Sequence, residues 1–279
     1  MTLAKGILVK PHKIELCMSG AGTLAPLHVG AVMALEDAGI VTTVNAGASA
    51  GAIISACKAL SMIGAEMEQI VLDADFGKLI PLKPWTYPFR GYAASNANAL
   101  AWMREITRDQ TMADCTSQLI TVCGDEELQR VKMFNSALAD GSLPVWQAVL
   151  PSFSIPEVFP AWQGRYCDGG VMLNLPVVAL PGAHPRLALR VTERSRTGPV
   201  KGWLDRQERL LDMMLLANEV GSVALARKEM VPVIELPGGH TGFLDRTMTR
   251  AQKQRLIETG YTAVTKFLES GAGKRWLSS

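Results

Sequence analysis

Long hydrophobic runs are missing from this chain of 279 residues. No uninterrupted apolar stretch approaches the roughly 18 residues that a membrane-spanning helix needs. The opening residues, Met-Thr-Leu-Ala-Lys-Gly-Ile-Leu-Val-Lys-Pro-His-Lys, lack the apolar centre of a secretory signal. The expectation is a cytoplasmic protein, soluble or at most resting on a membrane surface. A surplus of charge is missing too: the formal net charge is +2, which gives no reason to expect nucleic acid as a partner. Cysteines are few and badly placed for cross-linking. Cys17, Cys57, Cys115, Cys123 and Cys167 are odd in number, scattered and without a C-x-x-C pair. That pattern argues against a disulfide framework or a zinc site and suits a reducing compartment. With only four histidines and no cluster at metal-ligand spacing, neither metal nor cofactor is expected.

What is present is apolar and small. Nearly half the chain (48%) is hydrophobic, enough to bury a large core in one α/β domain spanning 1–279. Residues 41–59 organise the rest. The β-branched run 41–44 suits a strand, Gly47-Ala48-Ser49-Ala50-Gly51 follows, and small apolar residues then suit a helix packed on a sheet. Strand, G-x-S-x-G, helix is the layout of a nucleophile elbow, which holds a serine on a sharp turn with its hydroxyl presented. A tightly packed small-residue turn would have the same letters, so the motif needs partners to carry meaning.

A first strand over 13–19 runs into Gly20-Ala21-Gly22-Thr23-Leu24-Ala25, followed by a helix over 26–38 with Gly39 closing it. A glycine-rich turn between strand and helix presents backbone N–H groups to an anion. Gly20-x-Gly22-x-x-Ala25 also fits a dinucleotide fingerprint, which requires an acidic residue at the end of the second strand. Here that strand ends near Asn45-Ala46 and leads into the serine elbow, which favours an oxyanion hole beside Ser49.

Further along, helix is expected to about residue 65 and again over 66–74. Residues 76–112 change character. Three prolines break regular structure, and Trp85, Tyr87, Phe89 and Tyr92 crowd together with Lys78, Lys83 and Arg90 among them. The segment reads as a loop plus a lid-like helix. Strands are expected over 118–123, 130–134 and 186–191, the last taken as the final one. Helices are expected over 145–150, 203–230 and 249–267. Arg165-Tyr-Cys-Asp168-Gly169-Gly170 is a strand end breaking at Asp168 into paired glycines. Asp-Gly is a frequent turn pair in its own right, but beside Ser49 and the Gly20 turn it supplies a carboxylate where a base is needed. Alternating strands and helices predict a mostly parallel sheet covered on both faces, a three-layer α/β/α sandwich.

With these residues together, the chain resembles the patatin-like phospholipases over most of its length. The resemblance rests on Ser19-Gly-Ala-Gly followed by His28-Val-Gly30, Gly47-Ala-Ser-Ala-Gly51, Ser154-Ile-Pro with Phe159-Pro160, Asp168-Gly-Gly170 and Leu256-Ile-Glu-Thr-Gly-Tyr261. It implies a Ser–Asp dyad without a histidine: Ser49 as nucleophile, Asp168 as base, and an oxyanion hole from Gly20, Ala21 and Gly22. It further implies a lipid acyl hydrolase of the phospholipase A or lysophospholipase type, acting on phospholipid or lysophospholipid at a membrane surface. Whether a protein activator takes part is left open. The chain departs from the family where three glycines are followed by an arginine and a glycine, carrying Ala21, Leu24 and Ala25 instead. Backbone donors survive such changes, but what the arginine secures is put in question. A weak or inactive protein that binds lipid or phosphate on the same fold is therefore the rival reading.

His28 matches a structural histidine of the family and is expected in the core. His184 and His240 follow Asp168, so a Ser…Asp…His order is formally available, but both sit in Pro/Gly-rich surroundings. The aromatic and basic residues of 78–92 have the composition of a membrane-interface patch, or else line the cleft or core. The basic residues of 190–209 read as a solvated loop, and Met213-Met-Leu-Leu216 as core rather than lipid contact.

Overall fold

A computed structural model describes residues 12–138, 141–192, 198–239 and 241–278. In chain order its first half contains β1 (His12–Met18), α1 (Pro26–Asp37), β2 (Ile40–Ala48), α2 (Ala50–Ala59), α3 (Gly64–Asp73), α4 (Phe76–Leu79), α5 (Tyr87–Arg90) and α6 (Ala97–Thr107). Then follow β3 (Gln118–Asp125), β4 (Arg130–Asn135), α7 (Val145–Phe153), β5 (Tyr166–Asp168), α8 (Gly170–Leu173) and β6 (Arg186–Thr192). The chain closes with α9 (Gly202–Lys228), β7 (Val233–Pro237), α10 (Arg250–Glu269) and α11 (Gly271–Leu277).

The sheet runs β4-β3-β2-β1-β6-β7, with β5 paired to β3 off this path. The β2, β1, β6 and β7 neighbours and the β2–β3 pair are parallel; β4 and β5 lie antiparallel to β3. This is the expected three-layer α/β/α arrangement with a mostly parallel sheet. Strand alternation explains the two cores. Ile14, Leu16 and Met18 of β1 face a large core with α1, α2, α3, α7 and α10, while Cys17 faces a smaller one with Ala226 of α9 and the 175–180 segment. Period-two side-chain placement is what divides one strand between two layers.

Three expectations need correction. Residues 186–191 are not the final strand: β7 follows α9 and pairs with β6. Its Val-Ile-Glu-Leu-Pro run stands between Pro232 and Gly238-Gly239, which by sequence read as loop, and it is the parallel pairing with β6 that makes it a strand. The Met213–Leu216 stretch is not core, since Met213 is 64% exposed and only Leu215 is buried. In the 190–209 stretch, Arg190 lies in β6 and pairs with Glu219, and Arg209 is helical and pairs with Asp205.

The 76–112 segment contributes no extended strand. Pro84 opens a tight turn and Pro88 sits in the first turn of α5, positions where a missing N–H costs nothing. Trp85 and Phe89, four residues apart, are 70% and 89% exposed, whereas Tyr87 and Tyr92 are half-buried. Among the described residues no helix is long and apolar enough to cross a membrane.

Candidate active site

β2 ends at Ala48 and the chain reverses at Ser49 into α2. Ser49 takes φ 51 and ψ −128, a backbone conformation that side chains rarely adopt. Gly47 and Gly51 permit the turn: a Cβ on Gly51 would come within 2.4 Å of the carbonyl oxygens of Met18 and Ser19, and one on Gly47 equally close to Gly51. The strained serine thus sits at the N-terminal end of a ten-residue helix, where partial positive charge favours a developing anion. Its amide donates to Ser152 Oγ at 2.8 Å, which ties the elbow to α7.

Sheet register brings the carboxylate to the serine. β2 pairs with β3 as far as Ala48 against Val122. The next β3 residue, Cys123, pairs instead with Asp168 of β5. Asp168 therefore takes the place in the sheet that β2 vacates when it turns at Ser49. Ser49 Oγ donates to Asp168 Oδ2 at 2.7 Å, and Oδ1 accepts the Gly170 amide at 2.6 Å. Both residues are buried, Ser49 at 1% exposure and Asp168 at 4%. Burial pushes the Asp168 carboxyl up to about 7, against the lowering effect of the Ser49 and Gly170 hydrogen bonds. A carboxylate with that affinity for a proton, touching a serine hydroxyl, is suited to general-base work near neutrality.

The Gly20 loop lies alongside: a Cβ on Gly20 would fall 3.2 Å from Ser49 Cβ. The Gly20 amide is engaged, donating to both the backbone oxygen and Oδ1 of Asn174 at 3.1 Å. This narrows the expected trio of donors, because a hydrogen already shared between two acceptors is not free for a third. The amides of Ala21 and Gly22 have no acceptor among the described residues. The departures from the family motif find physical reasons. Ala21 has φ −144, outside the left-handed region, so its backbone does not need glycine. Gly22, retained, has φ 52 and packs so that a Cβ would meet the Phe243 carbonyl at 2.1 Å. Leu24 is fully buried in the larger core. Thr23 anchors the loop, its amide and hydroxyl both donating to the Phe243 carbonyl.

A supporting network from α9 escaped sequence reading. Asn174 Nδ2 donates to Glu219, whose other oxygen accepts from Arg190 at 2.6 Å. Asn218 Nδ2 donates to the carbonyls of Gly170 and Val171 at 3.0 and 2.9 Å. One helix turn therefore holds both the Asp168 turn and the Gly20 loop. The usable signal was a pair of polar residues, Asn218-Glu219, inside the otherwise apolar run of α9, and an Asn six residues after Asp168.

The histidines stand elsewhere. His28 is buried with Nε2 donating to the Ser19 carbonyl at 2.9 Å; its Nδ1 has no partner among the described residues. Burial pushes it down to about 4, only partly offset by that hydrogen bond, so it is neutral near pH 7. It braces the backbone just before the Gly20 loop. His184 lies at the start of β6, at the opposite end of the parallel strands from Ser49, where its amide joins those of Gly182 and Ala183 on the Glu15 carboxylate. His240 lies outside the described residues. Among the described residues no three His, Cys, Asp or Glu side chains come together to hold a metal.

The family model for patatin-like phospholipases matches residues 16–181, which include Ser49, Asp168 and the Gly20 loop. The uncharacterised protein YqhO of Bacillus subtilis is 26% identical over 92% of this chain and 98% of its own length. A patatin-like phospholipase domain-containing protein of Aspergillus niger is 25% identical over 60% of this chain, a match spanning only 26% of the fungal protein. Among solved structures, VipD from Legionella pneumophila superimposes with a TM-score of 0.62 at 14% identity, over 92% of this chain and 67% of VipD. The type III effector ExoU of Pseudomonas aeruginosa gives 0.51 at 17% identity, over 96% of this chain and 54% of ExoU. These two likenesses establish the fold. With its family match covering more than half of its length, the chain belongs to the patatin-like phospholipases, a membership that supports lipid hydrolysis as its function.

Proposed function

We propose that the chain is a serine-dependent lipid acyl hydrolase of the phospholipase A or lysophospholipase type, working through Ser49 and Asp168 as one unit of 1–279. The observation that carries this reading is the 2.7 Å hydrogen bond from Ser49 Oγ to a buried Asp168 whose carboxyl is raised to about 7. Ser49 Oγ attacks the ester carbonyl while its proton passes to Asp168 Oδ2. The amides of Ala21 and Gly22 face the resulting oxyanion, each such donor being worth roughly 2.7–4 kcal/mol when well placed. Collapse breaks the bond to the leaving alcohol, which takes the proton from Asp168. Water then enters, Asp168 again accepts a proton, and the carboxylic acid departs with Ser49 restored. The unit needs no histidine, because the aspartate is itself a base of suitable strength.

Ser49 is closed off from solvent, so substrate reaches it only after covering elements part. We assign that role to the 76–112 segment as a lid that also meets the membrane, supported by the exposure of Trp85 and Phe89 beside Lys83 and Arg90. Apolar rings with basic neighbours favour an anionic lipid surface. The deciding experiment is reaction with a fluorophosphonate probe together with hydrolysis of a mixed phospholipid pool read by mass spectrometry. Labelling at Ser49, with free fatty acid and lysophospholipid released by the wild type and not by Ser49→Ala, is expected. An unlabelled serine and no release would establish the rival, a lipid or phosphate binder on the same fold.

A further inference from the structure

Resting on lipid hydrolysis as the function, we propose that the outward face of α9 docks on a lipid surface through hydrocarbon alone, a contact separate from the aromatic and basic patch of the 76–112 segment. A helix on the outside of a sheet normally turns its apolar stripe inward and its charges to water. α9 departs from this over its central turns. Glu219 and Ser222 are buried and Asn218 is half-buried. Glu219 serves Asn174 and Arg190, and Asn218 serves the Gly170 turn. Outward, every exposed residue described between 210 and 224 is apolar or small, with Leu210, Met213, Met214, Leu216 and Val220 the large ones. Exposed charge among the described residues of α9 lies beyond both ends of that run, at Arg206, Arg227 and Lys228. Exposed Met172 and Val178, on segments packed against α9, add to the apolar area.

Size and chemistry select the occupant. The run from 210 to 224 makes a strip about 22 Å long and about 10 Å wide. A stable protein interface takes roughly 800 Å² on each partner, several times what the strip offers, so a second copy would have to bury the charged surroundings as well. A lipid surface sets no minimum area. An amphipathic helix meets one by sinking its apolar face into the boundary of head groups and acyl chains, and here the body of the protein takes the place of the polar face. Position adds to this. Met213 and Leu216 also wall the opening between α9 and the Gly20 loop, beside Asn174 and Phe243. A lipid surface seated on α9 therefore lies at an entrance on the side of the Gly20 loop. Because no exposed cation stands within the strip, the contact draws on burial of hydrocarbon and is indifferent to lipid charge and to salt screening.

The test is sedimentation with phosphatidylcholine vesicles at low and at high salt, in a Ser49→Ala background that leaves the lipid intact. Met214→Gln combined with Val220→Gln, neither of which walls the opening, is expected to weaken partition about tenfold at both salt concentrations. Should that combination not fold, Val220→Asp alone carries the test, with an expected loss of about fivefold. Vesicle binding untouched by the α9 variants, or binding confined to anionic vesicles and removed by salt, overturns the proposal. So does a dimer in solution that the α9 variants dissociate, which would give this face to a second copy of the chain. A wild type that takes no fluorophosphonate label at Ser49 overturns the hydrolase reading, while the vesicle result decides the role of α9 by itself.

Discussion

The two faces of the sheet are built on different physics. On one side α1, α2, α3, α7 and α10 close over a continuous hydrocarbon core that takes in Ile14, Leu16 and Met18. On the other, α9 covers a thinner core and spends its polar residues on the loops beside Ser49 and Asp168, Asn218 on the Gly170 turn and Glu219 on Asn174. The same helix leaves Met213, Met214, Leu216 and Val220 exposed. The first face supplies stability and an apolar wall; the second supplies alignment. Ser49 and Asp168 sit at the seam because the Ser49 turn belongs to a β2–α2 crossover and Asp168 to the β5–α8 turn held by α9.

Breaking the seam should have the largest effect. Ser49→Ala removes the nucleophile and is expected to lower kcat on a long-chain ester by on the order of 10⁴-fold or more with the circular dichroism spectrum unchanged. Asp168→Asn keeps the shape but not the base and should cost about 10²–10⁴-fold. Retention of activity in either variant would sink the dyad.

Acidity probes the same pair. Because the Asp168 carboxyl is raised to about 7 and must be ionised to accept a proton, kcat/KM should rise with pH through that region and level above it. Stability runs the opposite way. Between the ordinary aspartate range and about 7 the unfolded chain has released a proton that folded Asp168 keeps, so stability falls as pH rises across that window and is fully present below it. Asp168→Asn should abolish this slope. A thermal-melt series with the slope intact in the variant would assign it to another group.

The contribution of the α9 face is sharpened by Asn174→Ala. It frees the Gly20 loop from Glu219 and Arg190 without touching Ser49, and should reduce kcat by up to about 10²–10³-fold with little change in KM, the signature of a displaced oxyanion donor. Restoration by Asn174→Asp is not expected, since a second carboxylate beside Glu219 would repel it. A rise confined to KM would make Asn174 a substrate contact.

Smaller effects should separate membrane binding from chemistry. Replacing Trp85 and Phe89 by alanine should weaken partition to anionic vesicles about tenfold, or roughly 1.4 kcal/mol, and slow hydrolysis of aggregated phospholipid, with short soluble esters little affected. Equal losses on both substrates would place the segment in the chemistry instead. Least of all should follow from His184→Ala, at the far end of the sheet, which is expected to leave kcat/KM within about twofold.

Much of this was legible in the chain itself. Local sequence determined the serine elbow, because Gly47 and Gly51 are the residues that allow a strained turn between a β-branched run and a small-residue helix. It determined the alternating α/β order, the Asp-Gly-Gly break and the lack of regular strand in the proline-rich 76–92 stretch. Tertiary structure decided the rest. That Cys123 pairs with Asp168 just where β2 leaves the sheet is a matter of register between segments more than 40 residues apart, and no local pattern encodes it. The same holds for the raised carboxyl, which depends on how completely its surroundings exclude water, and for the Gly20 amide, whose partner Asn174 lies 154 residues away. The Met213–Leu216 stretch makes the point most plainly. Apolar side chains read as core by composition, but burial is decided by what packs against them, and on this face of α9 only Leu215 finds the interior.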